Sequence, residues 1–186
     1  MKTGRTLVNL AQELERQQAT KKDLVLPMSV LRHGTDDDGQ THVVVPEDGH
    51  AERYVLTPLA RRQLADKLRI PLPYFERMRE AQPRLLDHNI NTRMQQDGDR
   101  RMLRTLNGQV RAVLSDRYRR LDNIDLAEAV LPVLQQLPDV QFESMELTET
   151  HMYLKCVTPR LSHEMAPGDV VQAGVVVSNS EVAWAC

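Results

Sequence analysis

The spacing of apolar residues predicts alternating helical and extended segments along the chain. Residues 5–19 carry leucines at helical intervals, which is typical of an amphipathic helix that packs through one face. Further helical patterns, the first preceded by the capping pair Thr57-Pro58, occupy 58–69, 73–82, 83–96 and 124–137. Extended patterns occupy 28–33, 41–45, 53–56, 100–115, 140–147, 151–157 and 170–179, and a polar loop is predicted over 158–169. The mixture predicts an α+β fold in which packed helices cover an antiparallel sheet.

The clearest local signal is the pair Asn107-Gly108 between the runs RMLRTL and QVRAVL. These two residue types supply the positive φ angles of a two-residue turn, so we predict a central β-hairpin with Leu106 opposite Gln109. In that register Arg104 lies directly opposite Arg111. Two like charges in this position are destabilising unless an anion or a carboxylate lies between them.

The hairpin lies in the most basic part of the chain. Between residues 100 and 120 there are seven arginines and one acidic residue, Asp116. Arginines on a hairpin form a row of bidentate donors for phosphate, so we predict a nucleic-acid-binding track centred on Arg104 and Arg111. The residues at its margins are Arg100, Arg101, Arg117, Arg119 and Arg120.

The formal net charge of −2 conceals an uneven distribution of charge. Residues 1–60 carry 7 basic and 9 acidic side chains, residues 61–138 carry 15 and 10, and residues 139–186 carry 2 and 7. A basic middle segment and an acidic end permit polyanion binding, and they equally permit a homo-oligomer in which a basic face meets an acidic one. A third interpretation is that the segments neutralise each other within one fold.

Length and composition fit one globular domain over 1–186, with a helical and mixed part at 1–98 and an α/β core at 99–186. Two cysteines and the lack of a long apolar run predict a reducing, cytoplasmic location, with no disulfide framework and no membrane partner. Cys156 lies in an apolar strand pattern that favours an unreactive core thiol. Three consecutive acids, Asp36, Asp37 and Asp38, lack the alternation of a calcium loop and predict a solvated turn.

Three runs together resemble a known protein family: LTPLARRQLADKLRIPLPYFERM, VRAVLSDRYRRLDNIDLAEAVLPVL and GVVVSNSEV. They are similar to the phage and plasmid-like proteins called domain of unknown function 932, and the similarity covers roughly residues 23–183. The resemblance implies a mobile-element protein and a longer chain than the present one, truncated here after residues 178–182. The expected hairpin, long helix and second antiparallel sheet also look like the core of single-strand annealing proteins used in recombination, which is a likeness of fold alone.

Three functions stay open at this stage. The first is binding or annealing of single-stranded DNA or RNA for a phage or plasmid, although an aromatic content of 4% offers few stacking platforms. The second is a protein-interaction or counter-defence module that binds no nucleic acid. The third is an enzyme, which we do not predict, because the chain has no HExxH, GxGxxG, Walker or GxSxG motif. No catalytic residue, metal ligand or cofactor is predicted.

Overall fold

The computed structural model describes residues 6–47, 49–166 and 169–182. Its residues divide into two compact units. Residues from Thr20 to Tyr118 form the first, here called the hairpin unit. The second, here called the terminal unit, combines residues up to Ala19 with those from Arg119 onward.

A six-stranded sheet forms the centre of the hairpin unit, with the strand order β1-β5-β6-β4-β3-β2. Neighbouring strands are antiparallel except β4 and β6, which run parallel where Val55 lies beside Gln109. This parallel pair is possible because the connection from β4 to β6 is long and contains three helices followed by β5. The strands are β1 (Lys22–Pro27), β2 (Arg32–Thr35), β3 (Thr41–Glu47), β4 (His50–Leu56), β5 (Arg100–Leu106) and β6 (Gln109–Ser115).

Helices α2 (Pro58–Lys67), α3 (Leu72–Ala81) and α4 (Pro83–Gln96) pack on this sheet. The Thr57 hydroxyl accepts a hydrogen bond from the Ala60 amide, which confirms the predicted cap of α2. Phe75, Ile90 and Val110 are fully buried in a core that joins the helices to the sheet. This core fixes the face of the hairpin that carries Leu103, and so determines where its arginines lie.

The terminal unit contains α1 (Leu7–Thr20), α5 (Asn123–Gln135) and a three-stranded antiparallel sheet. Its strands are β7 (Gln141–Leu147), β8 (Met152–Ala166) and β9 (Asp169–Asn179), with β8 in the middle. Leu10 and Leu14 of α1 join Ala127 of α5 and Met152 and Leu154 of β8 in its core. The predicted N-terminal amphipathic helix therefore packs as expected.

The α+β class is confirmed, whereas two details differ from the prediction. The larger sheet is mixed and not purely antiparallel. The predicted loop over 158–169 is wrong for residues 158–166, because β8 continues through them with irregular pairing; residues 167 and 168 lie outside the described part.

Candidate nucleic-acid interface

The turn of the central hairpin has the predicted geometry. Asn107 and Gly108 have φ angles of 51° and 73°, and Leu106 lies opposite Gln109. Both φ values are in the left-handed region that Asn and Gly adopt most readily. The two residues predict the turn, and the Thr20 hydroxyl also donates a hydrogen bond to Asn107 Oδ1 at 2.7 Å.

The predicted pairing of Arg104 with Arg111 is wrong. Thr105 lies opposite Val110, but the pairing then shifts, and Arg104 lies opposite Ala112. The shift places one additional residue, Arg111, in β6, which is the effect of a β-bulge. Because of this bulge, Arg104 and Arg111 do not lie opposite each other, and no anion is needed between them to offset their repulsion.

Arg104 is a buried ion-pair partner. Its Nε donates to Asp23 Oδ1 at 2.8 Å and its Nη2 donates to Asp23 Oδ2 at 3.3 Å, so the ion pair is bidentate. The side chains of Arg104 and Asp23 are only 2% and 7% exposed. β1 lies next to β5, and Asp23 is the residue opposite Arg104. Arg104 is thus unsuited to the centre of a surface track, because its charge is already neutralised inside the unit.

The two arginines at the start of β5 differ in their partners. Arg101 Nη2 lies 2.7 Å from Asp99 Oδ2 and 3.8 Å from Asp97 Oδ2. Arg100 is exposed, and its Nη2 donates to the Val25 carbonyl at 2.9 Å. The charge of Arg101 is thus balanced locally, whereas Arg100 keeps an uncompensated charge.

The remaining basic residues follow the end of β6. Ser115, the last residue of that strand, lies opposite Arg101 and begins a turn in which its carbonyl accepts from the Tyr118 amide. Arg117 lies within this turn, so it occupies the same end of the hairpin as Arg100 and Arg101. Arg119 and Arg120 follow directly in sequence. Arg117, Arg119 and Arg120 are all exposed, and Arg111 is partly exposed.

The structure therefore divides five of the seven predicted arginines into two groups. Arg101 and Arg104 hold carboxylates of the hairpin unit. Across residues 6–47, 49–166 and 169–182, no acidic side chain lies within ion-pair distance of Arg100, Arg117 or Arg119. A guanidinium with no carboxylate partner is free to donate two parallel hydrogen bonds to phosphate.

A second polar cluster, built by α4 against the edge strand β2, was not predicted from the sequence. Asp87 accepts hydrogen bonds from His33 Nδ1, the Thr35 hydroxyl and the Thr35 amide, at 2.7 to 3.0 Å. The Asn91 side chain accepts from the His33 amide at 2.8 Å and donates to the His33 carbonyl at 2.9 Å. Burial alone would raise the pKa of Asp87, but the bonds from His33 and Thr35 outweigh it and lower that pKa.

This cluster has a structural role. The Asn91 amide bonds to both backbone groups of His33, as a neighbouring strand would, so α4 covers an edge that would otherwise be open. The His33 side chain is fully buried, which keeps its imidazole away from a substrate in solution. A His–Asp pair this enclosed favours support of the fold over acid–base chemistry.

The pKa of one further group, His42, is also shifted from its ordinary value. Its imidazole lies against Gly34, where a Cβ atom would come within 2.6 Å of His42 Nε2. Burial, together with the nearby Arg53, holds the pKa of His42 below its ordinary value, and Asp36 opposes this shift only in part. Asp36 also pairs with Arg53, so the predicted solvated turn contains one residue with a structural partner.

In the terminal unit, side chains of residues 178–181 form hydrogen bonds with the start of α5. The Glu181 carboxylate accepts a hydrogen bond from the Asn123 amide at 2.7 Å, and Glu181 is buried. The Asn179 side chain donates to the Leu121 carbonyl and to Asn123 Oδ1, both at 2.9 Å. Asp122 precedes the helix but makes no side-chain cap bond, so the Asn123 amide is capped by Glu181, which is 58 residues away in the sequence.

No protein-family model matches this chain, and no curated protein or solved structure is significantly similar to it. Within the described ranges, no group of three or more histidine, cysteine or carboxylate side chains is arranged to hold a metal ion. None of the helices in the described part of the chain is both long enough and apolar enough to cross a membrane.

Proposed function

We propose that this protein binds single-stranded nucleic acid for a phage or plasmid. Phosphates would be contacted by exposed arginines at the open end of the hairpin, within the hairpin unit. The observation that supports this proposal is that Arg100 and Arg117 are exposed and hold no carboxylate within the described residues. The resemblance of the sequence to the phage and plasmid-like family is consistent with the proposal.

The mode of binding follows from what surrounds these arginines. Tyr118 is the only aromatic residue between 100 and 120, so base stacking contributes little there. Affinity would come from phosphate contacts, which carry little sequence information and weaken with salt. Two contacts, from Arg100 and Arg117, give a slope of about −1.4 in log K against log salt at roughly −0.7 per contact.

The test is fluorescence anisotropy of a labelled oligothymidylate over a series of salt concentrations. The test variant is Arg100→Glu/Arg117→Glu, which changes two exposed arginines of the hairpin unit. A matched control is Arg77→Glu/Arg84→Glu, which makes the same change in net charge at two exposed helical arginines elsewhere in the hairpin unit. We expect salt-sensitive binding by the wild type and the control and its loss in the test variant, with all three proteins folded.

Equal weakening in both variants would mean that net charge alone drives association, and the proposed interface would be wrong. No binding by the wild type at low salt would shift support to the protein-interaction hypothesis. Arg104 is not a suitable position for this test, because reversing its charge would place two carboxylates side by side in a buried site.

A further inference from the structure

The outer strand of the terminal sheet, β9, differs from every other sheet edge in the described part of the chain. β1 is six residues long, with Lys22 at its start and Pro27 at its end. β2 is covered by side chains of α4, and β7 carries Glu143 and Glu146 and an irregular pairing after Phe142. Short length, charge, proline, bulges and helical cover are the devices that stop sheet edges from pairing with other chains.

β9 has few of these devices: its one charged residue is Asp169 at its start, and the irregularities of its pairing with β8 come from additional residues in β8. It is eleven residues long, and no charged residue or proline occurs from Val170 to Ser180. It pairs with β8 from Met152 to Ala166, and within the described residues it pairs with no other strand. On the side toward β8 the two strands approach closely, because a Cβ atom at Gly174 would lie 2.9 Å from the Cys156 carbonyl oxygen. The opposite side offers its backbone groups to a partner.

Apolar side chains on both faces of β9 are exposed as well. Val175 and Val176 are neighbours and therefore point to opposite faces, and they are 43% and 63% exposed. Val171 is 54% exposed. A strand added beside β9 would cover valines on both faces at once, which neither a helix nor a ligand on one face would do.

We propose that β9 is a strand-pairing site, and that its occupant is β9 of a second copy of this chain in antiparallel orientation. Charge favours this partner, because the uncharged residues 170–179 would lie opposite the same residues of the second copy, and no like charges are opposed. An antiparallel pair over ten residues forms about ten backbone hydrogen bonds, the number found in a typical protein interface. The two sheets would become one six-stranded sheet.

The same comparison of edges explains why association stops at two copies. Pairing about a two-fold axis uses β9 of both molecules, and the outermost strand on each side is then β7. The glutamates and the irregular pairing of β7 discourage a further strand. This closed dimer does not depend on the proposed nucleic-acid interface.

The experiment is sedimentation equilibrium of the full chain under reducing conditions over a range of concentrations. The test variants are Val176→Lys and Val171→Lys, and the control is Val133→Lys on α5, an equally exposed valine of the same unit. We expect a dimer for the wild type and the control. The test variants should raise the dissociation constant at least about tenfold, because a two-fold interface carries each change twice.

Amide hydrogen exchange of the wild type provides a second measurement that needs no variant. Exchange across 171–178 should slow as protein concentration rises through the dissociation constant, while exchange in β7 stays constant. A wild type that is monomeric at every concentration would overturn the proposal. So would a dimer that both β9 variants leave unchanged, because its interface would then lie elsewhere.

Discussion

Replacement of Arg104 by methionine should strongly destabilise the hairpin unit. Methionine keeps much of the side-chain volume but removes the guanidinium, and the Asp23 carboxylate is left in a site where its side chain is 7% exposed. Breaking a buried ion pair by removing one partner costs about 3–5 kcal/mol. Domains of this size have unfolding free energies of about 5–15 kcal/mol, so this loss would be a large share of the total.

The assay is urea unfolding followed by circular dichroism, with amide exchange in β1 and β5 to assign the loss to the hairpin unit. The double variant Arg104→Met/Asp23→Leu should recover most of the lost stability, because an apolar pair replaces the ionic one without leaving a lone charge. Arg117→Met, at an exposed arginine, should change the free energy of unfolding by no more than about 0.5 kcal/mol. An Arg104→Met variant within about 1 kcal/mol of the wild type would refute the burial argument.

Three further predictions concern the polar contacts of the two units. Asn91→Ala should cost about 1–3 kcal/mol and speed exchange of the His33 amide, which loses its acceptor; unchanged exchange would contradict the edge-covering role. Glu181→Ala should cost about 1 kcal/mol in urea unfolding because the Asn123 amide loses its cap, whereas Glu181→Gln keeps an acceptor and should cost less. The free energy of unfolding should fall as pH decreases below 6.5, the ordinary pKa of histidine, because the unfolded chain binds the proton of His42 first; His42→Gln should reduce that dependence.

Local patterns were sufficient wherever a feature depends on neighbouring residues. The turn at Asn107-Gly108 and the cap at Thr57 could be predicted because each is set by two or three adjacent positions. The extended pattern at 140–147 corresponds to β7, because alternation depends on successive residues alone.

Features that depend on distant residues could not be predicted in this way. Asp23 is 81 residues from Arg104, and Glu181 is 58 residues from the amide that it caps. The polar composition of 158–166 also concealed a strand. The pairing of β8 with β9 is irregular between Thr158 and Ser162, and Pro159 lies in that interval, where its missing amide breaks no regular ladder.

Ion pairing changes which charges are relevant to function. The 15 basic side chains over 61–138 suggested a broad basic surface, yet several of them hold carboxylates of the hairpin unit. Arg61 and Arg79 share Glu76, Arg101 holds Asp99, and Arg104 holds Asp23. What distinguishes a phosphate-binding arginine from a structural one is therefore the absence of a nearby carboxylate and not its position in a basic run. By that criterion the candidate phosphate-binding residues are Arg100 and Arg117 at the open end of the hairpin, and not Arg104 in its middle. Substitutions at the open end are therefore the ones that can distinguish a nucleic-acid interface from simple charge balance.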